Sequence, residues 1–67
     1  MTLEAFYAAL RALGLRETPK GTPKTLLCLT PEGEIQMVPR PEGKSDSERA
    51  DIINNLKISR GATWYNY

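Results

Sequence analysis

The stretch Thr25-Leu26-Leu27-Cys28-Leu29-Thr30-Pro31-Glu32-Gly33-Glu34-Ile35-Gln36-Met37-Val38 decides the fold. Its first six residues are a short apolar run between turn-forming neighbours, and its last five alternate in part between polar and apolar side chains. Between the two runs, Pro31 pre-sets its own backbone angle and Gly33 is free to take a positive φ. Two strands around a Pro-x-Gly loop predict a β-hairpin with a bulge at the glycine. Cys28 stands inside the apolar run, which points to burial as a small hydrophobe and away from a reactive thiol.

Upstream, residues 2–13 carry Leu3, Phe6, Tyr7, Leu10 and Leu13 at helical spacing, with Glu4 and Arg11 falling elsewhere. Thr2 suits an N-cap, and Glu4 lies in the first turn, where the helix dipole favours an anion. Gly14 fits the left-handed position beyond the helix end, with Leu15 folding back onto Leu10 as in a Schellman cap. Residues 16–24, Arg-Glu-Thr-Pro-Lys-Gly-Thr-Pro-Lys, read as a loop or short edge strand, because two prolines and a glycine interrupt regular pairing.

Downstream, Pro39-Arg40-Pro41 closes the second strand, and Ser45-Asp46-Ser47-Glu48 spells a capping box for a second helix. Ile52, Ile53 and Leu56 form its apolar stripe, and Gly61 reads as its terminator. The sequence therefore divides into one α+β domain over 1–61 and an aromatic tail over 62–67. Within the domain, two helices pack on one face of a small antiparallel sheet in the order helix, hairpin, helix. A two-stranded sheet is marginal alone, so residues 16–19 or the tail are expected to add a third strand.

Composition removes several classes of function. The chain has 67 residues, of which 40% are hydrophobic and 25% charged. That is near the lower limit for one self-sufficient core and leaves little room for a deep substrate pocket. There is no His, so His-based acid–base catalysis and His metal ligation are out of reach. One cysteine makes neither an internal disulfide nor a structural zinc site, and suits a reducing compartment. No apolar run approaches the ~20 residues that span a bilayer, and the N-terminus lacks the pattern of a signal peptide. A soluble, cytoplasmic, non-enzymatic protein without cofactor is the expectation.

Two features are candidates for partner binding. The segment Ala62-Thr63-Trp64-Tyr65-Asn66-Tyr67 holds three of the five aromatic residues. Trp64, Tyr65 and Tyr67 combine large apolar area with a hydrogen-bonding end, which suits a binding hot spot, although a domain this small also needs large side chains for its core. Charge is also uneven: from Glu32 to Asp51 six acids face three bases, and the rest of the chain has six bases against Glu4 and Glu17. Arg11, Arg16, Lys20 and Lys24 are expected to gather beside the first helix, for phosphates or an acidic protein surface. Lys57 and Arg60 are placed near the end of the second helix. The alternative for all six is a solvated surface, and a net charge of +1 is low for a dedicated nucleic-acid binder.

The order of Gly14-Leu15, Gly21-Thr22, Thr30-Pro31-Glu32-Gly33, Met37-Val38-Pro39 and the helix with Ile52-Ile53-Leu56 resembles the HicA-type toxins of bacterial toxin–antitoxin pairs. These are small RNA-cleaving proteins with a double-stranded-RNA-binding-like fold. The resemblance covers residues 3–58 and implies that fold. The family's catalytic His is expected at Pro23, so the resemblance implies a chain without its acid–base group, and the stretch from Gly21 to Pro31 is longer than the family's. Two functions are expected on these grounds. The first is a non-enzymatic module that docks on a larger intracellular protein, in the manner of phage or mobile-element regulators of host machinery such as RNA polymerase. The alternative is an RNA-binding or degenerate toxin-like domain using the bases between Arg16 and Lys24. A homo-oligomer pairing sheet edges or tails is a third possibility.

Overall fold

The computed structural model describes the backbone of residues 1–64 and side chains as far as Ser59. Helix α1 runs over Leu3–Ala12, strands come next at Arg16–Glu17 (β1), Thr25–Leu29 (β2) and Ile35–Pro39 (β3), and helix α2 covers Asp46–Trp64. The sheet is antiparallel in the order β1-β2-β3, so the third strand comes from the start of the 16–19 segment. This is the expected α+β arrangement of two helices and a small antiparallel sheet.

Local chemistry sets each boundary. The Thr2 hydroxyl accepts from the Ala5 N–H at 3.1 Å and caps α1. At the other end the Leu15 N–H donates to the Leu10 carbonyl at 3.0 Å, and the Gly14 N–H to that of Arg11 at 2.9 Å. This pair of bonds is the Schellman motif, and it requires the left-handed φ of +81° that Gly14 adopts. At the hairpin tip the Gly33 N–H bonds the Thr30 carbonyl at 2.9 Å, and the Thr30 N–H the Glu34 carbonyl at 2.8 Å. With φ at +83°, Gly33 is the bulge residue of a three-residue loop. For α2, the Ser45 hydroxyl accepts from the Glu48 N–H at 3.2 Å while the Glu48 carboxylate accepts from the Ser45 N–H at 3.1 Å. The reciprocal box holds the Glu48 carboxyl below its ordinary pKa.

Gly61 does not end α2. The helix continues to Trp64, through the boundary expected between domain and tail. A glycine costs a helix about 1 kcal/mol relative to alanine, too little to stop one that is already propagating. Lys57 accordingly sits in the body of the helix and not at its end.

The core is one cluster. Phe6 and Leu10 from α1, Leu15, Leu26 and Cys28 from β2, Val38 from β3, and Ile53 and Leu56 from α2 are all buried. Leu26, Cys28 and Val38 share one face of the sheet, and both helices cover that face. The Cys28 thiol is fully buried, and loss of solvent pushes its pKa up. Arg49 closes the far side: its side chain donates to the carbonyls of Pro41 and Met1, and pairs with Asp46 at 2.8 Å. The start of α1, the β3–α2 loop and the first turn of α2 are thereby joined through one guanidinium.

Candidate functional site: an open apolar sheet face

Direct pairing across the hairpin sets Thr25 beside Pro39, Leu27 beside Met37 and Leu29 beside Ile35. Side chains alternate along a strand, so these six lie on the face opposite Leu26, Cys28 and Val38. No described element covers that face. Leu29 is 37% exposed, Ile35 56% and Met37 61%, while Leu27, in the middle, is half-buried by its neighbours. Arg16 pairs with Leu29 and shares this face, where it is the one charged side chain contributed by the three strands. An apolar sheet face left in water is unfavourable for a monomer by itself.

Sequence reading missed this surface, although its signal is present in the residues. Leu26-Leu27-Cys28-Leu29 is apolar on both sides of the strand, as in a strand covered on both faces. In Ile35-Gln36-Met37-Val38 the apolar residues of the outer face are the larger ones, and Val38 is the one apolar residue that turns inward, beside the half-buried Gln36.

The expected basic cluster does not form as one patch. Arg11 and Arg16 line a groove of about 260 Å³ between α1 and β1, with Tyr7, Leu10, Leu15 and Glu17. The groove continues across Glu4, so the bases here share their surroundings with two glutamates. Lys20 and Lys24 lie instead in the β1–β2 loop. Lys24 directly precedes Thr25, at the opposite end of β2 from the Leu29–Arg16 pair, roughly 17 Å away at ~3.3 Å per residue. The loop is pinned there by Arg40, whose Nε donates to the Thr22 carbonyl at 2.6 Å. Gly21 packs closely against it, since a Cβ at that position would lie 2.6 Å from the Thr25 carbonyl oxygen.

Tyr7 sits at the rim of the same groove. Its hydroxyl donates to the Glu42 carboxylate at 2.6 Å, and its ring meets Phe6 edge-on. Burial first, and then this bond, push the phenol up to about 12, while the bond holds the Glu42 carboxyl below its ordinary value. The pair ties α1 to the β3–α2 loop. Of the aromatic candidates, Trp64 is the last residue of α2, and its side chain lies outside the described residues, as do Tyr65 and Tyr67. Among the described residues no group of three or more Cys, Asp or Glu side chains is placed to hold a metal ion, and no helix is long and apolar enough to cross a membrane.

No protein-family model, no curated protein and no solved structure matches the chain.

Proposed function

We propose that the protein is a non-enzymatic docking module whose contact surface is the open face of the sheet. The observation that carries this reading is the row Leu29, Ile35 and Met37, exposed side by side on a rigid antiparallel hairpin. Arg16 at its margin calls for a larger protein with an apolar contact patch and a carboxylate facing that guanidinium. Trp64, Tyr65 and Tyr67 are proposed as additional contacts, on the strength of their chemistry alone. The absence of His, and Pro23 where the toxin-like pattern has its acid–base group, favour binding over cleavage. The glutamates that share the groove with Arg11 favour a protein surface over a phosphate backbone.

The test is affinity capture from bacterial lysate, with and without nuclease, comparing the native chain with Leu29→Glu and with alanine at Trp64, Tyr65 and Tyr67 together. Glutamate at 29 stands beside Arg16, so the hairpin tolerates it while the apolar surface is interrupted. A protein retained by the native chain after nuclease treatment and lost with Leu29→Glu supports the docking surface. Capture that vanishes with nuclease, and with charge reversal at Lys20 and Lys24, replaces this reading with RNA binding.

A further inference from the structure

We infer that β3 is a self-pairing edge, and that two copies of the chain join their β3 strands antiparallel about a two-fold axis at Met37 to make one six-stranded sheet. The argument starts from the hydrogen-bond pattern. The Arg40 N–H donates to the Lys24 carbonyl at 3.0 Å at one end of the hairpin, and the Thr30 N–H to the Glu34 carbonyl at the other. Antiparallel pairing alternates, so Gln36 and Val38 direct their backbone groups toward β2. Ile35, Met37 and Pro39 therefore direct theirs to the open side of the sheet. A five-residue edge with apolar side chains is a template for another strand.

The edge fits a second copy of itself. With Met37 opposite Met37 of the second copy, Ile35 falls opposite Pro39, and all five residues of both strands overlap. The Met37 N–H and carbonyl bond reciprocally, and each Ile35 N–H meets a Pro39 carbonyl, so the missing N–H of Pro39 costs only one bond per side. Glu34 of each copy stands opposite Arg40 of the other, giving a complementary charge pair at each end. Shifting the register by two residues in one direction sets Glu34 opposite Glu42, and in the other sets Pro39 against the hairpin turn. In the single chain the Met37 carbonyl is covered by the side-chain amide of its neighbour Gln36 at 3.2 Å, a bond that the incoming strand replaces. The net charge of +1 per copy offers little repulsion to association. Pairing also makes the outer apolar face continuous across both copies, so the inference deepens the docking proposal without sharing its test.

Sedimentation of the full chain over about a hundredfold range of concentration is expected to show a monomer–dimer equilibrium. Under mild oxidation Met37→Cys is expected to give a disulfide-linked dimer, because directly paired residues of this type have Cα atoms about 5.5 Å apart, within disulfide reach. Ile35→Cys is expected to give none, since its counterpart lies roughly 13 Å along the strand. The native chain, with Cys28 buried, is the control. Met37→Pro removes only an outward N–H and is expected to leave a folded monomer. If it fails to fold, Glu34→Lys, which leaves the backbone intact and opposes Arg40 with a like charge, is expected to weaken the dimer about tenfold. A monomer at every concentration overturns the inference, as does equal cross-linking at 35 and 37, or a dimer indifferent to both Met37→Pro and Glu34→Lys. A monomer that still captures its partner through Leu29 refutes the strand pairing alone.

Discussion

Substituting alanine for Gly14 tests the packing of α1 against the hairpin tip, because this glycine serves two purposes that can be separated. Its φ of +81° is strained for any residue with a Cβ, at about 1–2 kcal/mol. In addition, a Cβ here would lie 2.6 Å from Cγ of Pro31, inside a ring that cannot rotate away, which adds about 1–3 kcal/mol of overpacking. Gly33 supplies the comparison, with the same left-handed backbone at +83° and no atom within 4 Å of an added Cβ. Gly33→Ala should therefore cost only the backbone part, and Gly14→Ala both. A chain of this size has roughly 3–10 kcal/mol of stability in all, so a loss of about 2–5 kcal/mol in Gly14→Ala is a large share of it. Urea denaturation followed by circular dichroism, with a slope of about 1 kcal/mol per molar, should place the Gly14→Ala midpoint about 1–3 M below that of Gly33→Ala. Adding Pro31→Ala to Gly14→Ala removes the clashing atom and should recover most of the difference, a coupling that a double-mutant cycle measures directly. Equal losses at the two glycines, or strict additivity in the cycle, would show that α1 does not end against the hairpin tip.

Two further outcomes are expected from the titratable and thiol groups. The Tyr7 phenol rises from an ordinary 10.0 to about 12 in the folded chain, so the folded state holds this proton more tightly than the unfolded one. Its contribution to stability is complete below pH 10 and is lost as pH rises through 12. The urea midpoint should consequently fall more steeply between those values in the native chain than in Tyr7→Phe, and parallel profiles would show that neither burial nor the Glu42 bond holds the Tyr7 proton. Cys28, fully buried, should react with a thiol reagent at neutral pH about a hundredfold or more slowly in the native chain than in urea, since labelling waits for an opening of the core. Rapid native labelling would place the thiol at the surface.

Much of the fold is written in short-range chemistry, which is why single stretches disclose it. The Thr2 cap, the Gly14-Leu15 exit, the Pro31-Glu32-Gly33 loop and the Ser45–Glu48 box each satisfy backbone groups within a few residues, so local sequence is enough to place them. The end of α2 was not legible in that way. Gly61 is a weak penalty on a helix already formed, and whether it stops the helix depends on the residues beyond it and on the packing around it.

Surfaces behave differently from elements. The bases Arg11, Arg16, Lys20 and Lys24 are close along the chain, and proximity in sequence suggests one patch. Strand reversal separates them, because the β1–β2 loop carries Lys20 and Lys24 to the far end of the sheet while Arg16 stays beside Leu29. Their neighbours are equally a matter of folding: Arg11 of α1 and Glu17 of β1 line one groove only when α1 lies along β1. The apolar sheet face shows the same limit. The alternation in Ile35–Val38 separates two faces, but which one meets the helices is decided by the partner faces of α1 and α2 and by the hairpin register.

By itself, then, the sequence determined the α+β class, the hairpin, the caps and the chemistry that a chain without His does not perform, because these depend on residue identity and on bonds between near neighbours. Only the tertiary structure decided that Leu26 and Val38 join Cys28 inside while Leu29, Ile35 and Met37 stay in water, and that the basic residues divide. Those outcomes depend on which surfaces meet across the sheet, a property of long-range packing that no single stretch of the chain contains.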